Sequence, residues 1–183
     1  MGGILLFSLI GSWVFGREFT DGTLRDLLAV PVRRASILLA KFSVVAAWSL
    51  ALTVLIYLAG LGLGALVGLP PASTAVFLQG AASLAITACL VTLAVSPAAF
   101  FASLGRGYLL PLGSAMLMLL LAQIVAFVGW GNYFPWSVPA LYAGLTGSQG
   151  AGLTPASYWI VIFTGLAGMG GTYLWWRYAD QSG

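Results

Sequence analysis

Eight of the eleven charged side chains of this chain fall in one stretch, Arg17 to Lys41, and apolar sequence flanks it on both sides. The stretch reads REFTDGTLRDLLAVPVRRASILLAK. With 61% hydrophobic and 6% charged residues, the chain lies far outside the range of soluble domains. The expected class is therefore all-α, a polytopic membrane helical bundle. A membrane protein gathers its charge where it meets water, so this segment is its largest polar surface.

The segment has internal design. Asp21-Gly22 is a turn signal, and Thr23 with Asp26 three residues on makes a short capping box. Leu24, Leu27 and Leu28 fall at i, i+3 and i+4, one apolar stripe of a short helix. Pro31 stops it, because proline has no N–H and disfavours helical geometry at Val30. A helix of roughly eight residues is unstable alone in water, so its leucine face must rest on the lipid interface or on another protein. Residue physics leaves those two options about even.

Five membrane spans are expected, at about 1–16, 37–67, 74–104, 108–128 and 158–176. The first is short. About sixteen helical residues cover roughly 24 Å, against a hydrocarbon core of about 30 Å. Gly60, Gly64 and Gly68 form a small-xxx-small ridge, read as tight intramolecular packing. Pro70-Pro71 marks a turn, Ser96-Pro97 a kink, and Gly105-Arg106-Gly107 a tight turn. Gln123, deep in its run, is read as interhelical glue rather than a substrate contact. Residues 129–157 carry no charge, and Trp130, Tyr133, Phe134, Trp136 and Tyr142 alternate there with Pro135 and Pro139. Such residues belong at headgroup level, so an external loop with one or two short interfacial helices is expected.

Orientation follows from Lys and Arg. Residues 17–41, Arg106 and Arg177 fall on one side if the spans alternate, and the loops between lack both types. By the positive-inside rule that side is cytoplasmic, with the C-terminus inside and Met1 outside. An uncharged external start of two or three residues is an awkward beginning, and it leads to the expectation that a first span and its loop are missing from this chain.

Function classes narrow by elimination. Without histidine, and with Cys89 as the sole cysteine, the chain has no disulfide, no zinc-type cluster and no histidine acid–base chemistry. Ser8, Ser12, Ser96 and Ser114 have no base to activate them, and are expected to bond backbone. No charged residue lies near the middle of a span, which argues against an ion-coupled secondary transporter. No G-x-x-x-x-G-K-[ST] loop is present to cradle nucleotide phosphates. The net charge of +3 is no nucleic-acid footprint. Arg17, Arg33, Arg34 and Lys41 read, on residue physics alone, as anchors for the inside orientation.

The ordered set Glu18-Phe19, Gly22-Thr23-Leu24, Leu27-Leu28, Pro31, Arg34 and Lys41 resembles the "EF-x-x-GTL…LL…P…R…K" segment of ABC-2 type transporter permeases, the bacitracin-export and lantibiotic-immunity kind above all. The resemblance implies six spans, five of them here, with both ends in the cytoplasm of a bacterial inner membrane and a re-entrant element before the last span. It makes 17–36 a cytoplasmic coupling segment that docks on a separate ATP-binding subunit, with Glu18, Phe19, Gly22, Thr23, Leu24, Leu27, Leu28, Pro31 and Arg34 as the coupling residues. ATP and Mg would be held by that partner, with no cofactor on this chain and no catalytic site of its own. A second permease subunit, identical or a sibling, would complete the pathway, and the expected cargo is a peptide antibiotic or lantibiotic. The rival reading is a non-transport membrane scaffold or immunity component.

Overall fold

The apolar runs fold into helices, and the computed structural model describes residues 2–23, 32–68, 73–105, 107, 109–144 and 152–178, with the backbone alone at residue 19. Expectations placed on Leu24, Asp26, Leu27, Leu28, Val30, Pro31, Pro70, Pro71 and Arg106 lie outside the described residues. The elements are α1 (Gly2–Thr20), α2 (Arg34–Leu66), α3 (Thr74–Val95), α4 (Pro97–Gly105), α5 (Leu109–Phe127), a 3-10 turn (Gly131–Tyr133), α6 (Val138–Tyr142) and α7 (Pro155–Tyr178). The chain is a helical membrane bundle. Among the described residues, three helices are long and apolar enough to cross a membrane: Arg34–Leu66, Thr74–Gly105 and Leu109–Phe127.

Helix α1 does not stop where its apolar run does. It continues through Arg17 and Glu18 to Thr20, giving nineteen residues and roughly 28 Å of length. Asp21-Gly22 then turns the chain, with Gly22 in the left-handed region at φ 71°. Helix α7 starts earlier than its hydropathy suggests. Pro155 occupies the first turn, where a missing N–H costs nothing, and the Thr154 N–H donates to the Ser157 hydroxyl at 3.2 Å.

The expected kink at Ser96-Pro97 is a break between α3 and α4. Pro97 cannot donate to the Leu93 carbonyl, so the Ser96 N–H and hydroxyl cover it instead, at 3.3 and 3.0 Å. The same hydroxyl lies 2.9 Å from the Gly165 carbonyl of α7. This broken helix is the centre of the bundle: α4 packs on α1, α5 and α7, while α3 packs on α1, α2, α6 and α7. Close approach of α7 depends on glycine. A Cβ at Gly165 would stand 2.8 Å from Leu93 Cδ2, and one at Gly168 would stand 2.6 Å from the Pro97 nitrogen.

The small-residue ridge read from the sequence lies elsewhere and does not pack as expected. A Cβ at Gly60 or Gly68 would meet nothing within 4 Å. The buried residues of α2 end at Thr53, and Leu58, Leu61, Leu63 and Leu66 beyond it are exposed. Gln123 is likewise exposed on α5, so it is not glue within this chain. The serine expectation holds for Ser12, which donates to the Ser8 carbonyl at 2.6 Å, for Ser114, which donates to that of Pro111 at 2.8 Å, and for Ser96.

The aromatic stretch after α5 forms the 3-10 turn and α6. Val138, Pro139 and Ala140 are buried against the bundle, and Trp130 and Tyr133 are exposed. Ser137 holds this corner by donating to the Gly131 and Phe134 carbonyls.

Gly168→Ala should destabilise by about 1–3 kcal/mol through overpacking against Pro97. Gly170→Ala, where a Cβ meets nothing within 4 Å, should be neutral or stabilising by up to about 1 kcal/mol. Thermal unfolding of the two variants in detergent checks the contrast; equal shifts would contradict the glycine contact.

Candidate functional site

The polar ends of α1, α2, α4 and α7 meet at one end of the bundle, around a buried lysine. Arg34, Leu38, Lys41 and Val45 recur at helical spacing along α2, and Leu38, Lys41 and Val45 are all buried. Lys41 is 8% exposed. Its ammonium lies 2.6 Å from Glu18 Oε2 and donates to the Val14 carbonyl at 2.7 Å, both on α1. Val14 and Glu18 are four residues apart, so one face of α1 presents the carbonyl and the carboxylate together. Rings close the other sides: Nζ is 5.3 Å from the Phe15 centroid and 5.8 Å from that of Trp176. Phe15 and Trp176, at 0% and 1% exposure, belong to the same core cluster as Leu38, Val45, Ala99 and Ala102.

Burying an ammonium here costs several kcal/mol of desolvation, which only a well-placed carboxylate and added hydrogen bonds offset. Glu18 and Val14 supply both. Phe15 and Trp176 contribute ring faces toward the cation, a smaller attraction of about 0.5–2 kcal/mol. Lys41 is thus no simple headgroup anchor, which corrects the reading from residue physics alone.

A second tie reaches α7. The Arg34 guanidinium donates to the Trp176 carbonyl. That carbonyl is in the last turn of α7, where a cation is favoured by the helix dipole. The Trp176 indole N–H donates to the Ser103 hydroxyl of α4 at 2.9 Å, and Ser103 donates to the Ala99 carbonyl at 2.9 Å. Arg34 and Lys41, seven residues apart on one face of α2, therefore hold α7 and α1 respectively. We call this arrangement the clasp.

Of the sequence-predicted site residues, Glu18 and Arg34 are in the clasp. Gly22 and Thr23 form the exposed turn just after α1. Phe19 lies in the last turn of α1, and Leu24, Leu27, Leu28 and Pro31 are outside the described residues. Arg17 pairs with Asp21 at 3.1 Å, but both are about half exposed and the pair contributes little. Sequence reasoning missed Lys41 as a buried partner, together with Trp176 and Ser103. The signal for Lys41 was its spacing: an i, i+7 relation to Arg34 inside otherwise apolar sequence.

Residues 3–129 of the chain match the ABC-2 family transporter protein family, well over half of its length. Over 135 residues the chain is 27% identical to the bacitracin transport permease protein of Bacillus licheniformis. That match takes in 74% of this chain and 65% of the relative, so the chain spans just under two thirds of the relative's length. No solved structure matches the chain.

Glu18→Gln and Lys41→Met should each destabilise by roughly 3–5 kcal/mol, because each leaves the other buried partner uncompensated. The double variant should lose about 1–3 kcal/mol less than the sum of the two single losses. A double-mutant cycle on thermal unfolding checks this, with an expected coupling of about 1–3 kcal/mol; additive losses would show that the pair does not act as one unit.

Proposed function

Because the chain belongs to the ABC-2 transporter family, we propose that it is the membrane-spanning permease subunit of an ATP-driven exporter in a bacterial cytoplasmic membrane. In this reading α1, α2, α3 with α4, α5 and α7 make five crossings. The clasp end and the C-terminus face the cytoplasm, and residues 129–157 lie outside. The concentration of Lys and Arg at the clasp end supports that orientation.

The observation that carries the proposal is the clasp itself. The charged segment between α1 and α2 enters from Glu18 and leaves at Arg34, and both residues are tied to other helices. A push on that segment by a partner is delivered to α1, α2 and α7 together rather than absorbed by one helix end. Residues Glu18, Phe19, Gly22, Thr23, Leu24, Leu27, Leu28, Pro31 and Arg34 form the coupling surface in this account. The partner is a separate ATP-binding subunit that holds ATP and Mg²⁺, and this chain has no catalytic site of its own. A second permease subunit completes the pathway. The exposed amide of Gln123, set among exposed Leu117, Leu120 and Ile124, supports a protein neighbour on α5, since a polar side chain gains more from a facing helix than from lipid. The name of the 27% identical relative supports bacitracin as the cargo type, and a lantibiotic rests on the motif resemblance alone.

The test is co-purification with an ATP-binding subunit from the cells that make this chain. The native permease should carry that ATPase through affinity purification, and Leu27→Asp or Leu28→Asp should remove it while the permease itself stays in the membrane. Lys41→Met, outside that surface, should keep the ATPase bound but cut export-dependent resistance to bacitracin several-fold. An ATPase that never co-purifies, or one indifferent to both leucine changes, would overturn the proposal.

A further inference from the structure

At the end of the bundle away from the clasp, α1, α2, α3 and α6 surround a cavity of about 190 Å³. Ile4, Phe7, Ile56, Leu84 and Val91 make most of its wall, and Pro139 and Ala140 of α6 close one side. Folded interiors seldom keep a void much larger than a water molecule, because the walls otherwise move in to regain contacts. Three ties hold these walls in place. Lys41 fixes α2 against α1 at the clasp. Farther along α2, the Tyr57 hydroxyl donates to the Phe77 carbonyl of α3 at 2.7 Å. Ser137, just before α6, holds the third corner through the Gly131 and Phe134 carbonyls. The space is therefore preformed.

Its chemistry selects the guest. Among the described residues that line the cavity none is charged, and only Thr53 and Thr87 have polar side chains. Both donate within their own helices, Thr53 to the Ser49 carbonyl at 2.7 Å and Thr87 to the Ser83 carbonyl at 2.8 Å. A polar guest would give up its hydrogen bonds to water and find no side-chain donor in return. A hydrocarbon guest gives up none, and it restores the dispersion contacts that the walls lack. A cavity of about 150 Å³ with Leu, Ile and Phe walls stays dry and takes up benzene or xenon, so this one has room for a guest of that size. We propose that the cavity is a binding site for a compact, uncharged hydrocarbon ligand the size of a substituted benzene ring. The tip of a lipid acyl chain shares that chemistry. Ile4, Phe7 and Val91, however, form a buried inner wall that stops a longer chain, which favours a compact free molecule. Binding there depends on the fold alone, not on what the bundle transports.

A phenyl diazirine is the probe, since irradiation expels nitrogen and leaves a carbene that inserts where the molecule is bound. Ile4 and Val91 are buried and report the cavity, while exposed Leu120 on α5 reports the open surface. With the full chain in phosphatidylcholine nanodiscs, labelling of Ile4 and Val91 should saturate with probe and fall several-fold under excess benzene. Labelling of Leu120 should do neither. Ala88→Leu on α3 and Ala140→Leu on α6 each fill the cavity, and each should abolish the labels at Ile4 and Val91 while sparing Leu120. In a parallel arm the same diazirine sits at the end of a phosphatidylcholine acyl chain, and it should leave Ile4 and Val91 unlabelled. No labelling of these two by the free probe, labelling that benzene does not compete, or labelling that survives both filled variants would overturn the site. Labelling of them by the lipid-borne diazirine would overturn a free molecule as the occupant.

Discussion

A charged ammonium held among aromatic rings sets the geometry of the whole end of this molecule. Lys41 is largely withdrawn from water, so its charge is tolerated only where Glu18 and the Val14 carbonyl both reach it. Two helices are thereby fixed in rotation as well as distance. If α1 turned by one residue it would carry the carboxylate about 100° away and strand the lysine. Hydrophobic contacts alone do not impose this in a bilayer, where lipid tails are as apolar as leucine. Arg34 extends the same constraint to α7 through the Trp176 carbonyl, and the Trp176 indole extends it to Ser103 on α4.

Further along, packing relies on small residues and borrowed hydrogen bonds. Pro97 breaks the central helix, Ser96 covers the carbonyl left open, and the same hydroxyl meets α7. Gly165 and Gly168 let α7 come close enough for that contact. The stripe Ser157, Val161, Gly165, Gly168, Thr172 and Trp176 is the buried face of α7, and only its last member is large. The bundle is thus tight and polar-linked between α4 and α7, and open along the outer half of α2.

Much of this was legible in the residues. The charged segment, the break at Pro97 and the short helices among the aromatic residues are all marked by residue types that act locally. The choice of face was not. Helices α2, α5 and α7 are apolar almost all round, so periodicity does not say which side meets protein and which meets lipid. For that reason the Gly60, Gly64, Gly68 ridge looked like a packing surface, while Gly165 and Gly168, spaced three apart, did not. The same ambiguity concealed Lys41, whose burial follows from the position of α1 and not from its own neighbours. Trp176 gave no signal at all, since a tryptophan near the end of an apolar run ordinarily reads as an interfacial anchor.

The central claim is that the clasp makes α1, α2 and α7 move as one body. It is tested most directly by spin labels at Thr20, the end of α1, and Tyr178, the end of α7, both exposed, with Cys89 replaced by alanine. Pulsed electron resonance on the full chain in lipid nanodiscs then reads the distance between the two ends. One narrow distance distribution in the native chain, broadened by Lys41→Met, is the predicted result. A distribution equally broad with and without Lys41 would show that the helices are not held together by this pair.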